Sequence, residues 1–196
     1  MARRKIREKR NTTYFITFTC LRWLPLIRET NLYDEIYRWF DIMKKDGSEI
    51  LGYVIMPNHI HFLIYYCNEK QNLNKTLANG KRFLAYEIIK RLKGQNRQDF
   101  LEVLKVREGE PEYGKGSKHR VFIPTFDSKE CWDTRILEQK LNYIHRNPLK
   151  GVWHLADHPT AYVHSSAGFY ASGRQGVYPV KHYLEIYHVP VHWRFR

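Results

Sequence analysis

The sequence predicts an α+β fold: a ferredoxin-like (split βαβ) antiparallel sheet with helices on one face. Two observations carry this. Short runs of alternating aromatic and β-branched residues are interleaved with longer runs of helical period. Their order is strand, helix, strand, strand, helix, strand, which is the order of that unit. A chain of 196 residues with 43% hydrophobic and 15% aromatic residues can bury a real core without disulfides.

The elements follow in order. Residues 1–11 form a basic N-terminal arm with Arg3, Arg4, Lys5, Arg7, Lys9 and Arg10. Tyr14 to Cys20 reads as a first strand. A helix capped by Thr30 or Asn31 runs to about Lys45, with Leu32, Ile36, Trp39, Phe40 and Met43 at helical spacing and Asp46-Gly47 ending it. Ile50 to Met56 and Ile60 to Tyr66 form a hairpin around the Pro57-Asn58 turn. Leu73 to Leu92 reads as a helix whose basic face includes Lys81, Arg82, Lys90 and Arg91. Gly94 to Lys118 is irregular, with a short strand at Leu101 to Val106, and Arg120 to Phe126 is the fourth sheet strand. Asp127 and Glu130 have capping-box spacing for a last long helix, which ends near Asn147 because Pro148 biases that residue away from helical geometry. Ile136, Leu137, Leu141 and Ile144 are its buried stripe. These assignments divide the chain into the arm, a domain over 12–164, and a tail over 165–196 with one short helix or strand.

Charge narrows the function. Thirty-three Lys and Arg against 20 acids give a formal net charge of +13, which favours a polyanionic partner, nucleic acid first and an anionic membrane surface second. The longest apolar runs fall far short of a membrane span. The charged N-terminus has no apolar stretch of the secretory type, so the expected location is cytoplasmic. Cys20, Cys67 and Cys131 are widely separated and form no CxxC pair, which argues against a zinc ribbon or disulfide framework.

Two stretches carry chemistry. In Met56-Pro57-Asn58-His59-Ile60-His61, a strand would place His59 and His61 side by side, with Ile60 turned into the core. Two imidazoles so placed can share a metal ion and leave coordination positions open for substrate. A pair of surface histidines is the plain alternative. In Lys140-Leu141-Asn142-Tyr143-Ile144-His145-Arg146-Asn147-Pro148, Tyr143 and Asn147 are i and i+4 and share a helix face, with Lys140 and Arg146 three residues either side of the phenol. With 14 tyrosines in the chain, helix geometry alone does not single this one out. Gly109 to Gly116 nearly spells a phosphate-binding loop. Its Gly116 stands where Ser or Thr should hold magnesium, and two glutamates stand where phosphate would sit.

Together the two stretches resemble those of the HUH-type tyrosine transposases, in the branch associated with repetitive extragenic palindromes (REP), relatives of the IS200-like transposases. The histidine pair is similar to the family's metal motif, and Tyr143 to Pro148 to its catalytic tyrosine helix. Tyr162 to Ala167, with Ser165-Ser166, is similar to the segment that follows, and Tyr14 to Thr19 to its first strand. The resemblance covers roughly residues 10–170. It implies a single-stranded DNA transposase that cleaves and rejoins hairpin-bearing DNA through a 5′-phosphotyrosyl intermediate. Tyr143 is then the nucleophile, and His59, His61 and Asn147 are ligands of a divalent metal, Mg2+ or Mn2+. No nucleotide cofactor is implied, because the phosphotyrosyl linkage stores the bond energy. Expected DNA contacts are Arg3, Arg4, Lys5, Lys81, Arg82, Arg120, Lys140, Arg146 and Lys150, and relatives act as single chains or as homodimers. The competing readings are a non-catalytic nucleic-acid-binding module, a regulatory protein derived from a transposase, and a metal nuclease that uses water.

Overall fold

The structure, a computed structural model, describes residues 11–67, 72–106, 118–123 and 127–187. Its centre is a four-stranded antiparallel sheet in the order β2-β3-β1-β4, built from β1 (Thr12–Thr19), β2 (Glu49–Ile55), β3 (His59–Tyr66) and β4 (Asp127–Cys131). The long helices are α2 (Tyr33–Lys45), preceded by the single turn α1 (Leu26–Glu29), then α3 (Leu73–Gly94) and α5 (Thr134–Arg146). Shorter ones are α4 (Gln98–Leu104), α6 (Ala167–Ser172) and α7 (Tyr183–Ile186). Strand order and element order are those of the split βαβ unit.

Residue alternation divides the sheet into two faces. Ile16, Phe18, Ile60, Phe62 and Ile64 point to one side, where they pack with Ile36, Trp39, Phe40 and Met43 of α2 and Leu77, Leu84 and Ile88 of α3. The helices meet closely: a Cβ on Gly80 of α3 would lie 2.2 Å from Trp39 Cε2, so glycine is required there. On the other side Phe15, Val54 and Leu63 meet Leu137, Leu141 and Ile144 of α5. Helices α2 and α3 thus share one face, as expected, and the additional helix α5, which carries Tyr143, lies on the other rather than leaving it bare. Helix α5 carries its own apolar stripe, Leu137, Leu141 and Ile144, and must bury it.

Four further expectations change. The stretch read as a strand at Leu101 to Val106 is the helix α4, whose buried Leu101 and Leu104 are three residues apart. The fourth sheet strand is not Arg120 to Phe126. Phe122 makes only an isolated bridge with Cys20, residues 124–126 lie outside the described residues, and β4 follows at Asp127–Cys131. Glu130 consequently pairs with Tyr14 in the sheet and closes no capping box. The true N-cap of α5 is Asp133, whose side chain accepts from Ile136 N at 2.7 Å. As an edge strand, β4 tolerates the charged pattern DSKEC that disguised it. Neither Thr30 nor Asn31 caps α2: Thr30 Oγ1 donates to the Leu26 carbonyl at 2.6 Å, and Leu32 occupies the cap position with no side-chain bond.

Residues 165–187 join both cores. Phe169, Tyr178 and Val180 enter the first and Tyr183 the second. Residues 164–181 also hydrogen-bond along the free edge of β2, through Ile55 N to His164 O at 2.9 Å, Ser166 N to Tyr53 O at 3.0 Å and Lys181 N to Ile50 O at 3.0 Å. No helix among the described residues is long and apolar enough to cross a membrane. The basic arm, Arg3, Arg4 and Lys5 included, and the near-phosphate-loop at Gly109 to Gly116 lie outside the described residues.

Candidate functional site

Strand β3 sets the two histidines on the α5 face, because Ile60 between them is committed to the opposite core. Both are buried, at 8% and 5% exposure, and their ring centroids stand 4.7 Å apart. Each ring is held through Nδ1 by a neighbour. Thr17, the cross-strand partner of His61, places Oγ1 2.8 Å from His61 Nδ1. Asn58 places Oδ1 2.7 Å from His59 Nδ1.

The Asn58 contact fixes a tautomer. Its Nδ2 donates to the Trp23 carbonyl at 3.0 Å, and a carbonyl can only accept, so the amide cannot be turned round. Asn58 Oδ1 therefore faces His59, whose Nδ1 must carry the proton. The neutral ring is left with a bare lone pair on Nε2, the arrangement of an outer partner orienting a metal-binding imidazole. Burial holds His59 neutral, pushing it down to about 4 against a smaller opposing effect of Asn147. His61 is pushed down to about 3, first by burial and then by the proximity of His59 and Lys140.

Helix α5 supplies the other half. Capped by Asp133 and seated on the sheet by Leu137, Leu141 and Ile144, it turns Tyr143 and Asn147 toward β3. The Tyr143 ring packs edge-to-face on His61, with centroids 5.2 Å apart, and on Phe15 at 6.0 Å; the residue is 47% exposed. Asn147 Oδ1 lies 3.2 Å from His59 Nε2. With the His59 tautomer fixed, two lone pairs face each other across that gap. They are reconciled by turning the Asn147 amide or by a cation between them. Among the described residues no three His, Cys, Asp or Glu side chains converge as a metal cage, so a third donor beside the imidazoles would be the Asn147 amide oxygen. Two nitrogens and an oxygen are a donor set that a divalent cation accepts.

The expected phosphate contacts separate into groups. Lys140 Nζ stands 4.9 Å from the Phe15 ring centroid and 6.0 Å from that of Tyr143, within the site. Arg146 and Lys150 are exposed near the end of α5, and Arg82 is exposed on α3. Lys81 instead turns inward: Nζ donates to the Ile123 carbonyl at 2.6 Å, lies over Phe18, and burial pushes it down to about 8. Arg120 is half-buried, its backbone N donating to Leu104 O. Sequence reasoning missed Thr17, Asn58 and Trp23. The Pro-Asn turn beside His59 was visible, but a side chain bonded both to the next residue and to a loop 35 positions earlier leaves no local signal.

Among solved structures, the chain superposes on a REP-associated tyrosine transposase bound to a REP hairpin, with a TM-score of 0.58 and 19% identity over 91% of this chain and 89% of that one. The chain has the fold of that transposase. A second structure, a provisionally named transposase from Deinococcus radiodurans R1, gives a TM-score of 0.41 at 14% identity over 74% of this chain and 97% of that one. Comparisons with protein-family models and with curated proteins give no match. The transposase-like fold agrees with the resemblance read from the histidine and tyrosine stretches. It places the sheet and α5 in a known architecture and leaves the roles of individual side chains to chemical argument.

Proposed function

We propose that this protein is a transposase that cleaves and rejoins single-stranded, hairpin-bearing DNA, with Tyr143 as nucleophile and His59, His61 and Asn147 holding Mg2+ or Mn2+. The observation that carries this reading is the convergence of His59, His61, Tyr143 and Asn147 from β3 and α5, more than 80 residues apart in the chain, on one sheet face. The solved relative bound to a REP hairpin supports hairpin DNA as the partner, and the net charge of +13 supports a polyanion.

A divalent cation on this donor set would supply charge neutralisation at a non-bridging phosphate oxygen. The chain's own groups do the rest. Asn58 and Thr17 hold the imidazoles in orientation. The half-exposed Tyr143 loses its proton to solvent, and its oxygen attacks phosphorus in line. The Oη–P bond forms, the P–O3′ bond breaks, and the departing 3′ oxygen takes up a proton. Lys140, beside the phenol, offsets the negative charge that gathers there. Attack by a 3′-hydroxyl reverses these bonds and frees Tyr143, so no nucleotide cofactor is consumed.

The test is incubation with labelled single-stranded hairpin DNA and magnesium or manganese, followed by a denaturing gel. A covalent protein–DNA band is expected, absent from Tyr143→Phe and from His59→Ala. Cleavage that persists in Tyr143→Phe would instead establish a water nuclease. Binding with no cleavage under either metal would establish a non-catalytic module.

A further inference from the structure

The site has a feature that neither metal binding nor tyrosine attack uses. Trp23 is 59% exposed, yet its indole is seated on the site, edge-to-face with His59 at 5.7 Å between centroids. Trp132 is also exposed, at 72%, but no ring contact ties it to the histidines or to Tyr143. The loop that presents Trp23 is held firmly. Cys20 N donates to Asn58 O at 2.8 Å, Asn58 Nδ2 returns a bond to Trp23 O at 3.0 Å, Trp23 N donates to Cys20 O, and Leu21 N donates to Val121 O at 2.7 Å. Within this clamp Arg22 and Trp23 both take positive φ, 53° and 58°, a backbone region that non-glycine residues avoid. A fixed and strained loop here keeps a large apolar ring in water beside a buried imidazole pair. Packing does not account for it, because burying the indole would be favourable.

The order of the rings says what the indole could meet. Trp23 contacts His59, His59 contacts His61, and His61 contacts Tyr143. Trp23 and the phenol thus sit at opposite ends of the imidazole pair. In an in-line displacement the nucleophile and the leaving oxygen lie on opposite sides of phosphorus, so a phosphate seated over the imidazoles with Tyr143 at one side directs its leaving 3′ oxygen toward Trp23. We infer that Trp23 is a stacking platform for the base of the nucleotide immediately 5′ of the scissile phosphate, the one whose 3′ oxygen departs, and so helps to set the position of the cut. The exposed Arg22 beside it faces the same strand's backbone charge. Because every base has a π-face, the platform tolerates any base but requires one to be present. Asn58 ties the platform to the metal site, since one amide holds both the Trp23 carbonyl and His59 Nδ1.

This inference rests on the proposed tyrosine cleavage, and its test separates the two. The cut is first mapped with wild-type protein on a hairpin oligonucleotide with a single-stranded flank. The nucleotide 5′ of the cut is then made abasic, and single-turnover cleavage is measured for wild type, Trp23→Ala and Trp23→Phe. The abasic change should slow wild type by about ten- to a hundredfold, the range expected for one base–aromatic stack. Trp23→Ala should slow the intact substrate by a similar factor, suffer little further loss on the abasic one, and keep an unchanged melting temperature. Trp23→Phe should stay within a few-fold of wild type. Independent, multiplying losses would overturn the platform and leave tyrosine cleavage standing. If wild type does not cut, 2-aminopurine is moved along the flank and its fluorescence read on binding. Quenching at one position, abolished by Trp23→Ala, retains the platform although the cleavage reading has failed; no such position overturns both.

Discussion

Acid should destabilise the metal-free protein well above the range in which carboxylates titrate. Burial pushes His59 and His145 down to about 4 and His61 to about 3, whereas a histidine in the unfolded chain titrates near 6.5. Above that value neither state binds the proton and these groups do not affect the balance. Below it the unfolded chain takes up protons that the folded chain refuses, so stability falls with pH until the folded values are reached. Between pH 7 and pH 5 each of the three sites should cost about 2 kcal/mol, and together about 6 kcal/mol. That is comparable with the whole stability of a typical domain, about 5–15 kcal/mol. His119, His164 and His182 shift in the same direction and add to the slope. The lowered carboxyls of Glu29 and Asp34 act only at more acidic pH. The assay is urea unfolding at pH 7, 6 and 5 with a chelator present, followed by tryptophan fluorescence. His145→Gln, whose amide can keep a bond to Ser166 Oγ, now 2.9 Å from His145 Nε2, should flatten the slope by about 1.4 kcal/mol per pH unit. Equal stability at pH 5 and pH 7, or an unchanged slope in that variant, would refute the claim that these rings are buried neutral.

Other perturbations probe separate parts of the structure. Saturating Mn2+ at about a hundredfold above its Kd should add about 2.7 kcal/mol of stability, and His61→Ala should abolish that gain in a thermal melt. Asn58→Ala should weaken Mn2+ binding by about ten- to a hundredfold in a calorimetric titration, because it removes the group that fixes the His59 tautomer; equal affinity would refute that role. Gly80→Ala gains about 1 kcal/mol of helix propensity but drives a methyl into the enclosed Trp39 ring, at a cost of about 1–3 kcal/mol or more, so a lowered melting temperature is expected and a raised one would contradict the close approach. Asp133→Ala should cost about 1 kcal/mol as a lost N-cap, whereas Asp127→Ala should not behave as a cap substitution in the same denaturant series.

Much of this arrangement was legible because it obeys short-range periodicities. The two-residue repeat of β3 put His59 and His61 on one face, and the i+4 relation joined Tyr143 to Asn147, but periodicity did not single out that tyrosine among 14, and its selection came from the resemblance. The meeting of the two pairs could not be read, because it depends on which sheet face α5 covers, and no local pattern encodes that choice. Strand β4 was hidden because an edge strand needs only one packed neighbour and can carry DSKEC, while Asp127 and Glu130 happened to imitate a helix start. Helix α4 was hidden because Leu101, Val103 and Leu104 fit a short strand as well as two helical turns. Lys81 shared the helical spacing of the basic face but points inward, where the Ile123 carbonyl and the rings of Phe18 and Phe122 receive it.

The strip of backbone bonds from residues 164–181 to β2 has a consequence for how the chain can be shortened. An uncovered strand edge is a template on which a second molecule can add its own strand. Here His164, Ser166 and Lys181 occupy that template, while Ser166 Oγ also reaches His145 on the tyrosine helix. Trimming the chain after residue 163 would therefore expose an adhesive edge lined by Ile50 to Ile55 and loosen α5 at the same time. Such a fragment should aggregate rather than dissolve as a minimal domain. The residues that look most dispensable in the sequence act as the fold's guard against its own self-association.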